Sequence, residues 1–97
     1  MTVLVAYASK HGSTAGIAEA IADALTDHEV KAEAKSVDTI EDLGPYEAVI
    51  LGSAVYAGSW MKDAVTFAER HAGELARMPV WLFSSGPLGE DVKDHEE

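Results

Sequence analysis

Apolar and polar residues alternate in blocks along the chain, and the blocks predict strands and helices in turn. A near-continuous apolar run over Thr2–Ala8 predicts a central parallel strand that is covered on both faces. Apolar residues then recur every four positions from Ile17 to Leu25, opposite an acidic row. This spacing predicts an amphipathic helix, with Ser13 or Thr14 as its N-cap.

The same alternation continues through the second half of the chain. Val30–Val37 alternates small or aliphatic residues with charged ones, which predicts a strand with one wet face at the sheet edge. Asp38–Gly44 predicts a short helical turn. Tyr46–Ser53 predicts a second buried strand, Trp60–Arg77 a second amphipathic helix, and Pro79–Ser85 a third buried strand.

Strands that alternate with helices predict an α/β fold with an open parallel sheet. Right-handed crossovers place the four strands in the order 2-1-3-4, with a switch point between strands one and three. Open sheets of this kind bind ligands at that point, above the carboxyl ends of the strands. We expect one domain over residues 1–89, followed by an acidic, solvated tail over 90–97.

Handedness also predicts that the first helix lies alone on its face of the sheet, which leaves part of that face uncovered. The exposed set is expected to be either Val49, Leu51, Trp81 and Phe83 or Ala48, Ile50, Val80 and Leu82. Such a patch, beside a bare edge strand, is unfavourable in a soluble monomer. We therefore expect a homodimer, a complementary segment, or a shortened chain.

Composition narrows the classes of function. The chain has no cysteine, which excludes disulfides, thiolate metal sites and cysteine nucleophiles. Seven basic residues against 17 acidic ones give a net charge of −10, which argues against nucleic acid or an anionic membrane as partner. No apolar run reaches the ~20 residues of a membrane span and no signal peptide is evident, so we expect a cytoplasmic protein.

Three loops meet at the expected binding edge, and the first has the composition of a phosphate site. Hydroxyl groups and the free N–H groups of a helix start suit phosphate oxygens, and glycine permits close approach of the backbone. Lys10 and His11 either add positive charge to the phosphate or are solvated. The candidate residues of this loop are Ser9, Lys10, His11, Gly12, Ser13 and Thr14.

The other two loops predict a site for a planar ligand. Tyr56 lies among small residues and is the better stacking candidate, whereas Trp60 is expected to anchor the second helix. No nucleophile–base pair and no metal-type histidine spacing is present, so chemistry would come from a cofactor. The candidate residues are Ala54, Val55, Tyr56, Ala57 and Gly58 in the second loop and Ser84, Ser85, Gly86, Pro87 and Leu88 in the third.

The first loop resembles the signature of the flavodoxin-like, FMN-binding family. That signature, an aromatic followed by x-[ST]-x-x-[AGC]-x-T-x-x-x-A-x-x-[LIV], is met by Tyr7, Ser9, Gly12, Thr14, Ala18 and Ile21. The stretch AVILGSAVYAGSW, followed by MKDAVTFAERHA, is similar to the branch that includes flavodoxin-type protoporphyrinogen oxidase. The resemblance runs from Met1 to about Gly89.

The resemblance implies an FMN phosphate on Ser9–Thr14 and a flavin ring between Tyr56 and Ser85–Leu88. It implies that a carbonyl at Ala57 or Gly58 turns towards the reduced flavin, and that electrons pass to a quinone, a porphyrinogen or a redox partner protein. The family fold has a fifth strand flanked by two more helices, which this chain lacks. The alternative is a non-catalytic assembly module of the same fold that binds FMN weakly or not at all.

Overall fold

The computed structural model describes residues 2–9, 12–56 and 58–85, apart from the side chain of Tyr56. Its elements follow the predicted alternation of strand and helix. In chain order they are β1 (Thr2–Ala8), α1 (Ser13–Asp27), β2 (Lys31–Ser36), a 3-10 turn (Val37–Thr39), β3 (Ala48–Tyr56), β4 (Ser59–Trp60), α2 (Lys62–Arg70), α3 (Ala72–Leu75) and β5 (Val80–Ser85).

The sheet is parallel in the order β2-β1-β3-β5. The short β4 is antiparallel and pairs only with Val55 and Tyr56, at the carboxyl end of β3. The α/β class and the predicted order 2-1-3-4 are confirmed, with β5 as the fourth strand of that prediction. Strand β1 lies between two neighbours, as its continuous apolar sequence indicates.

The sheet has a hydrophobic core on each face. One core joins alternate residues of β1 and β3, among them Leu4 and Leu51, to Leu43 and to Phe67 of α2. The other joins Val5 to Ala18 and Ala22 of α1, with partly buried neighbours that include Ile50 and Phe83. We name these the α2 face and the α1 face. The alternation along β1 supplies both cores, because successive side chains of a strand point to opposite faces.

Gly52 and Phe83 pack against each other on the α1 face. The two residues are partners in the β3–β5 register. The Phe83 ring lies across Gly52 so closely that a Cβ at position 52 would overlap the ring. Glycine at this position therefore lets the aromatic ring join the core beneath α1.

The start of α1 differs from the prediction. Its N-cap is Gly12, in the left-handed region at φ +90°, and neither Ser13 nor Thr14 takes that position. A left-handed backbone is strained for residues with a side chain, which explains why the glycine ends the loop. No side chain makes a capping hydrogen bond to the N-terminus of α1.

The prediction of one continuous helix over 60–77 is wrong. The segment divides at His71 into α2 and α3, and Trp60 belongs to β4. The side chain of His71 is buried at the point of division. Its ring lies 4.8 Å from the ring of Phe67, and its Nδ1 lies 2.9 Å from Glu74 Oε1. The buried ring and its two contacts coincide with the division between α2 and α3.

The carboxyl end of β3 and the register of β5 also differ from the predictions. Strand β3 continues to Tyr56, three residues beyond its predicted end, where it pairs with β4. Ile50 is the partner of Trp81, so these two residues share the α1 face and neither predicted exposed set is correct. Among the described residues, the two most exposed large apolar side chains, Trp81 and Leu82, point to opposite faces.

The described ranges contain neither a helix suited to cross a membrane nor a cluster suited to hold a metal ion. None of the helices there combines the length and the apolar character that a membrane crossing needs. No group of three histidine or carboxylate side chains in the same ranges is placed to hold a metal ion.

Tyr46 links the edge strand to the segment that leads into β3. Its hydroxyl donates a hydrogen bond to Glu33 Oε1 at 2.9 Å, and Lys35 Nζ lies 3.6 Å from the same oxygen. The hydrogen bond from Tyr46, with a smaller contribution from Lys35, lowers the pKa of Glu33 below its usual 4.5. Both interactions favour the ionised carboxylate.

We expect Gly52→Ala to destabilise the protein by about 1–3 kcal/mol, because the added methyl group must displace the Phe83 ring. Adding Phe83→Leu should recover part of that loss, since the smaller side chain leaves the space free. Urea unfolding of the two single variants and the double variant measures the coupling. Strictly additive effects of the two substitutions would contradict the contact.

We expect Tyr46→Phe to lower stability most at neutral pH. A carboxyl group with a depressed folded-state pKa stabilises the fold above its unfolded pKa, and the contribution disappears as the pH falls through the folded pKa. The difference in Tm between the wild type and Tyr46→Phe should therefore shrink as the pH falls below about 4.5. In a Glu33→Gln background, the difference should not vary over this pH range.

Candidate functional site

Strands β1, β3 and β5 end at the same edge of the sheet, as the sequence predicted. Ala8 at the end of β1 is paired with Ser53 of β3, and Ser53 is paired with Ser84 of β5. Because the strands are parallel, their carboxyl ends lie side by side at the point where the chain connections diverge. The candidate site is built on this edge.

The loop after β1 is held by a side chain and a glycine. Gly12 donates its backbone N–H to Ser9 Oγ at 2.9 Å, and the carbonyl of Gly12 accepts from Gly16 N–H at 3.0 Å. Ser9 thus shapes the loop from within. The side chain of Ser13 is exposed, while Lys10 and His11 lie outside the described residues.

Thr14 is the most informative side chain of this loop. It is 0% exposed, and its Oγ1 has no hydrogen-bond partner. The first N–H groups of a helix have no partner within the helix, and here no side chain caps them and no acidic residue lies in the first turn. A hydroxyl and free N–H groups at the positive end of a helix dipole are the kind of donors that an anion requires.

The loop after β3 is more regular than predicted. Ala54, Val55 and the backbone of Tyr56 belong to β3 itself, and Ala54 is buried. Gly58 is exposed at φ +80°, a conformation that suits glycine, and the chain then returns through β4. The Tyr56 side chain and Ala57 lie outside the described residues, so stacking by Tyr56 stays a prediction.

The end of β5 is tied to β4 by Trp60. The indole Nε1–H of Trp60 donates a hydrogen bond to Ser84 Oγ at 2.9 Å. Its ring packs against the core on the α2 face, in agreement with its predicted role as an anchor. Ser85 is half-buried at the strand end, and Gly86, Pro87 and Leu88 lie outside the described residues.

Ser53 is a structural residue of the site that sequence reasoning did not single out. Its side chain is buried, accepts a hydrogen bond from Met61 N–H at 2.9 Å and donates one to the Ala54 carbonyl at 2.8 Å. It therefore fixes the start of α2 against the end of β3. A serine directly after a buried apolar run was the available signal, because a buried hydroxyl needs partners.

Comparison with known proteins assigns the family. The model of the flavodoxin domain matches residues 4–96. The chain belongs to the flavodoxin family. No protein of curated function matches this flavodoxin domain.

Solved flavodoxins have the same fold. Oxidised flavodoxin 2 from Bacillus cereus is 28% identical with a TM-score of 0.76, over 99% of this chain and 72% of that one. A Fusobacterium nucleatum flavodoxin, solved bound to flavin mononucleotide, is 18% identical with a TM-score of 0.74, over 92% of this chain and 54% of that one. An archaeal flavodoxin is 19% identical with a TM-score of 0.70, over 97% of this chain and 90% of that one. This flavodoxin domain thus spans about half of one such structure and nine-tenths of another.

Ser53 and Ser84 provide a matched test of the framework, because they are register partners on adjacent strands. We expect Ser53→Ala to destabilise the protein by about 1–2 kcal/mol, since it leaves the Met61 N–H without its partner. Ser84→Ala removes an exposed hydrogen bond that water can replace, so its effect should stay within about 0.5 kcal/mol. Urea unfolding measures the free energy of unfolding of both variants. Equal losses of stability would contradict the structural role assigned to Ser53.

Proposed function

We propose that this flavodoxin domain binds FMN and transfers electrons through it. The observation that carries the proposal is the fully buried Thr14 hydroxyl, which has no protein partner and lies in the first turn of an uncapped helix. A polar atom buried without a hydrogen bond is costly and calls for an explanation. A ligand phosphate, which accepts hydrogen bonds from both hydroxyl and N–H groups, provides one.

The residues present fit the phosphate end of FMN. The N–H groups of Ser13, Thr14 and Ala15 open α1 and are free of intrahelical bonds, and the Thr14 hydroxyl adds a neutral donor. Ser9 holds the loop through Gly12 and so keeps these donors in place. The absence of a carboxylate in the first turn favours a dianion, since an acidic residue there would compete with it.

The other two loops would hold the flavin ring. The family resemblance assigns this role to residues around Tyr56 and to Ser85–Leu88, with the ring-facing carbonyl at Ala57 or Gly58. Gly58 already has the positive φ that such a turn tolerates. The Trp60–Ser84 hydrogen bond joins the two loops, so they would move together as one wall of the site. When bound, FMN supplies electron transfer at its ring, and the chain supplies binding and orientation.

The charge of the chain indicates the kind of protein with which it would exchange electrons. A net charge of −10 favours encounter with a basic redox partner. This electrostatic attraction weakens as salt is added. A quinone or a porphyrinogen as electron acceptor, and a cytoplasmic location, stay predictions. A chain that takes up no flavin would instead be a non-catalytic assembly module.

We expect the apoprotein to bind FMN, with quenching of flavin fluorescence in a titration. Riboflavin, which lacks the phosphate, should bind at least about 100-fold more weakly, because two or more charge-assisted hydrogen bonds are missing. Thr14→Val, which keeps the shape and removes the hydroxyl, should weaken FMN binding about tenfold and leave riboflavin binding unchanged. The stability of the apoprotein should not fall, since Thr14 Oγ1 has no partner to lose.

Thr26→Val is the matched control. Thr26 lies at the other end of α1 and donates its hydroxyl to the Ala22 carbonyl, so its replacement should leave FMN affinity unchanged. Absence of FMN uptake by the wild-type chain would reject the proposed function. Equal weakening of FMN and riboflavin by Thr14→Val would reject the phosphate contact while leaving flavin binding intact.

A further inference from the structure

The chain turns back after β3 and forms a short hairpin with β4 at the binding edge. Its two residue pairs are Val55 with Trp60 and Tyr56 with Ser59. Only two residues connect the strands, and one of them is Gly58, at φ +80°. Two-residue turns use positive φ, which glycine adopts without strain. We name this compact unit, residues 55–60, the β3–β4 hairpin.

Two serines on adjacent strands fasten the β3–β4 hairpin to the sheet. Ser53 and Ser84 are register partners on β3 and β5. Ser84 Oγ accepts a hydrogen bond from the indole Nε1–H of Trp60 at 2.9 Å. Ser53 Oγ accepts one from the Met61 N–H, also at 2.9 Å. Two successive residues at the end of the hairpin are thus held from two strands, one through its side chain and the other through its backbone.

The two hydrogen bonds contribute differently. The bond to Ser53 is partly buried, so its loss affects the stability of the fold. The bond between Trp60 and Ser84 is exposed, and water can replace it at little cost to stability. Its contribution is therefore geometric, because it joins the hairpin after β3 to the end of β5.

Trp60 is suited to fix this geometry. It packs against the core on the α2 face, so its position does not depend on the hydrogen bond alone. An indole has a single polar group, and here that group is directed at Ser84. Ser84 directly precedes Ser85, the last residue of β5. The packed ring therefore determines where the end of β5 lies relative to the hairpin.

We propose that the Trp60–Ser84 hydrogen bond is a positioning contact for the flavin ring. It fixes the spacing between the β3–β4 hairpin and the end of β5 before the ligand binds. Such preorganisation raises affinity, because less conformational freedom is lost on binding. The inference rests on the proposed binding of FMN. Since the phosphate is assigned to the loop before α1, the contact should favour flavins with and without a phosphate equally.

The first test removes the acceptor and the donor in turn. We expect Ser84→Ala to weaken the binding of FMN and of riboflavin by the same factor, about three- to tenfold, in fluorescence titrations. Thr14→Val differs, since it should weaken the binding of FMN alone. Trp60→Phe should also weaken both flavins. Adding Ser84→Ala to Trp60→Phe should cause no further weakening, because both substitutions remove the same hydrogen bond.

Two variants serve as controls for the titrations. Ser84→Thr keeps a hydroxyl group at this position and should restore the affinity for both flavins. Thr26→Val removes a hydroxyl hydrogen bond at the far end of α1 and should leave both affinities unchanged. Urea unfolding of the apoprotein should give nearly the same midpoint for Ser84→Ala and the wild type, which separates a positioning role from a loss of stability.

The second test detects the hydrogen bond without any flavin. The chain has two tryptophans, so Trp81→Phe leaves Trp60 as the single one. Trp81 is 57% exposed, and its replacement should be tolerated. In this background, Ser84→Ala should shift the emission of Trp60 to longer wavelength, because water replaces the serine at the indole N–H. Ser84→Thr should not shift it, and an unchanged emission in Ser84→Ala would overturn the proposal.

The titrations separate this inference from the proposed function. A wild-type chain that takes up no flavin rejects the proposed function, and the inference with it. If the wild type binds both flavins and Ser84→Ala binds them as tightly, the inference alone is rejected. It is also rejected if Ser84→Ala weakens only FMN, or weakens binding further in Trp60→Phe. Equal weakening of both flavins that Ser84→Thr restores supports it.

Discussion

The burial of the central residues of β1 is the constraint on which the other elements depend. Leu4, Val5 and Ala6 are wholly buried, with α1 on one face of the sheet and α2 on the other. A shift of one residue in register would exchange the side chains of the two faces, so both neighbours of β1 are fixed in place. The carboxyl end of β1, and with it the loop that leads to Gly12, is therefore held at the centre of the binding edge.

Two features at the start of α1 suit the site to a ligand. Helix α1 opens without a side-chain cap although serine and threonine are adjacent, and Thr14 buries its hydroxyl without a partner. At the neighbouring loop Ser53 is equally buried, yet its hydroxyl is engaged by Met61 and Ala54. The contrast between these two buried hydroxyls separates a residue that holds the framework from one suited to a ligand.

Sequence patterns predicted which strands and helices form more accurately than they predicted where each one begins and ends. Apolar runs located the strands, and the handedness of crossovers gave their order, because both follow from local chemistry and chain direction. The break at His71 coincides with contacts to Phe67 and Glu74, and helical periodicity in the sequence does not predict it. The pairing of Ile50 with Trp81 likewise depends on the register between β5 and β3. The sequence of either strand alone does not determine that register. For the site, residue types indicated the anion loop, but only the fold identified Thr14 as the unpaired group.

The two outer strands of the described sheet differ in the charge of their side chains. Strand β2, at one edge, carries Lys31, Glu33 and Lys35 on alternate positions and presents charge to any approaching strand. Tyr46 and Lys35 further hold Glu33 in its ionised form, so this protection persists at neutral pH. Among the described residues, β5 is the outer strand on the other side, and it carries none of that charge. The charge on β2 is typical of an edge strand, whereas the apolar sequence of β5 is typical of a strand with a neighbour on each side.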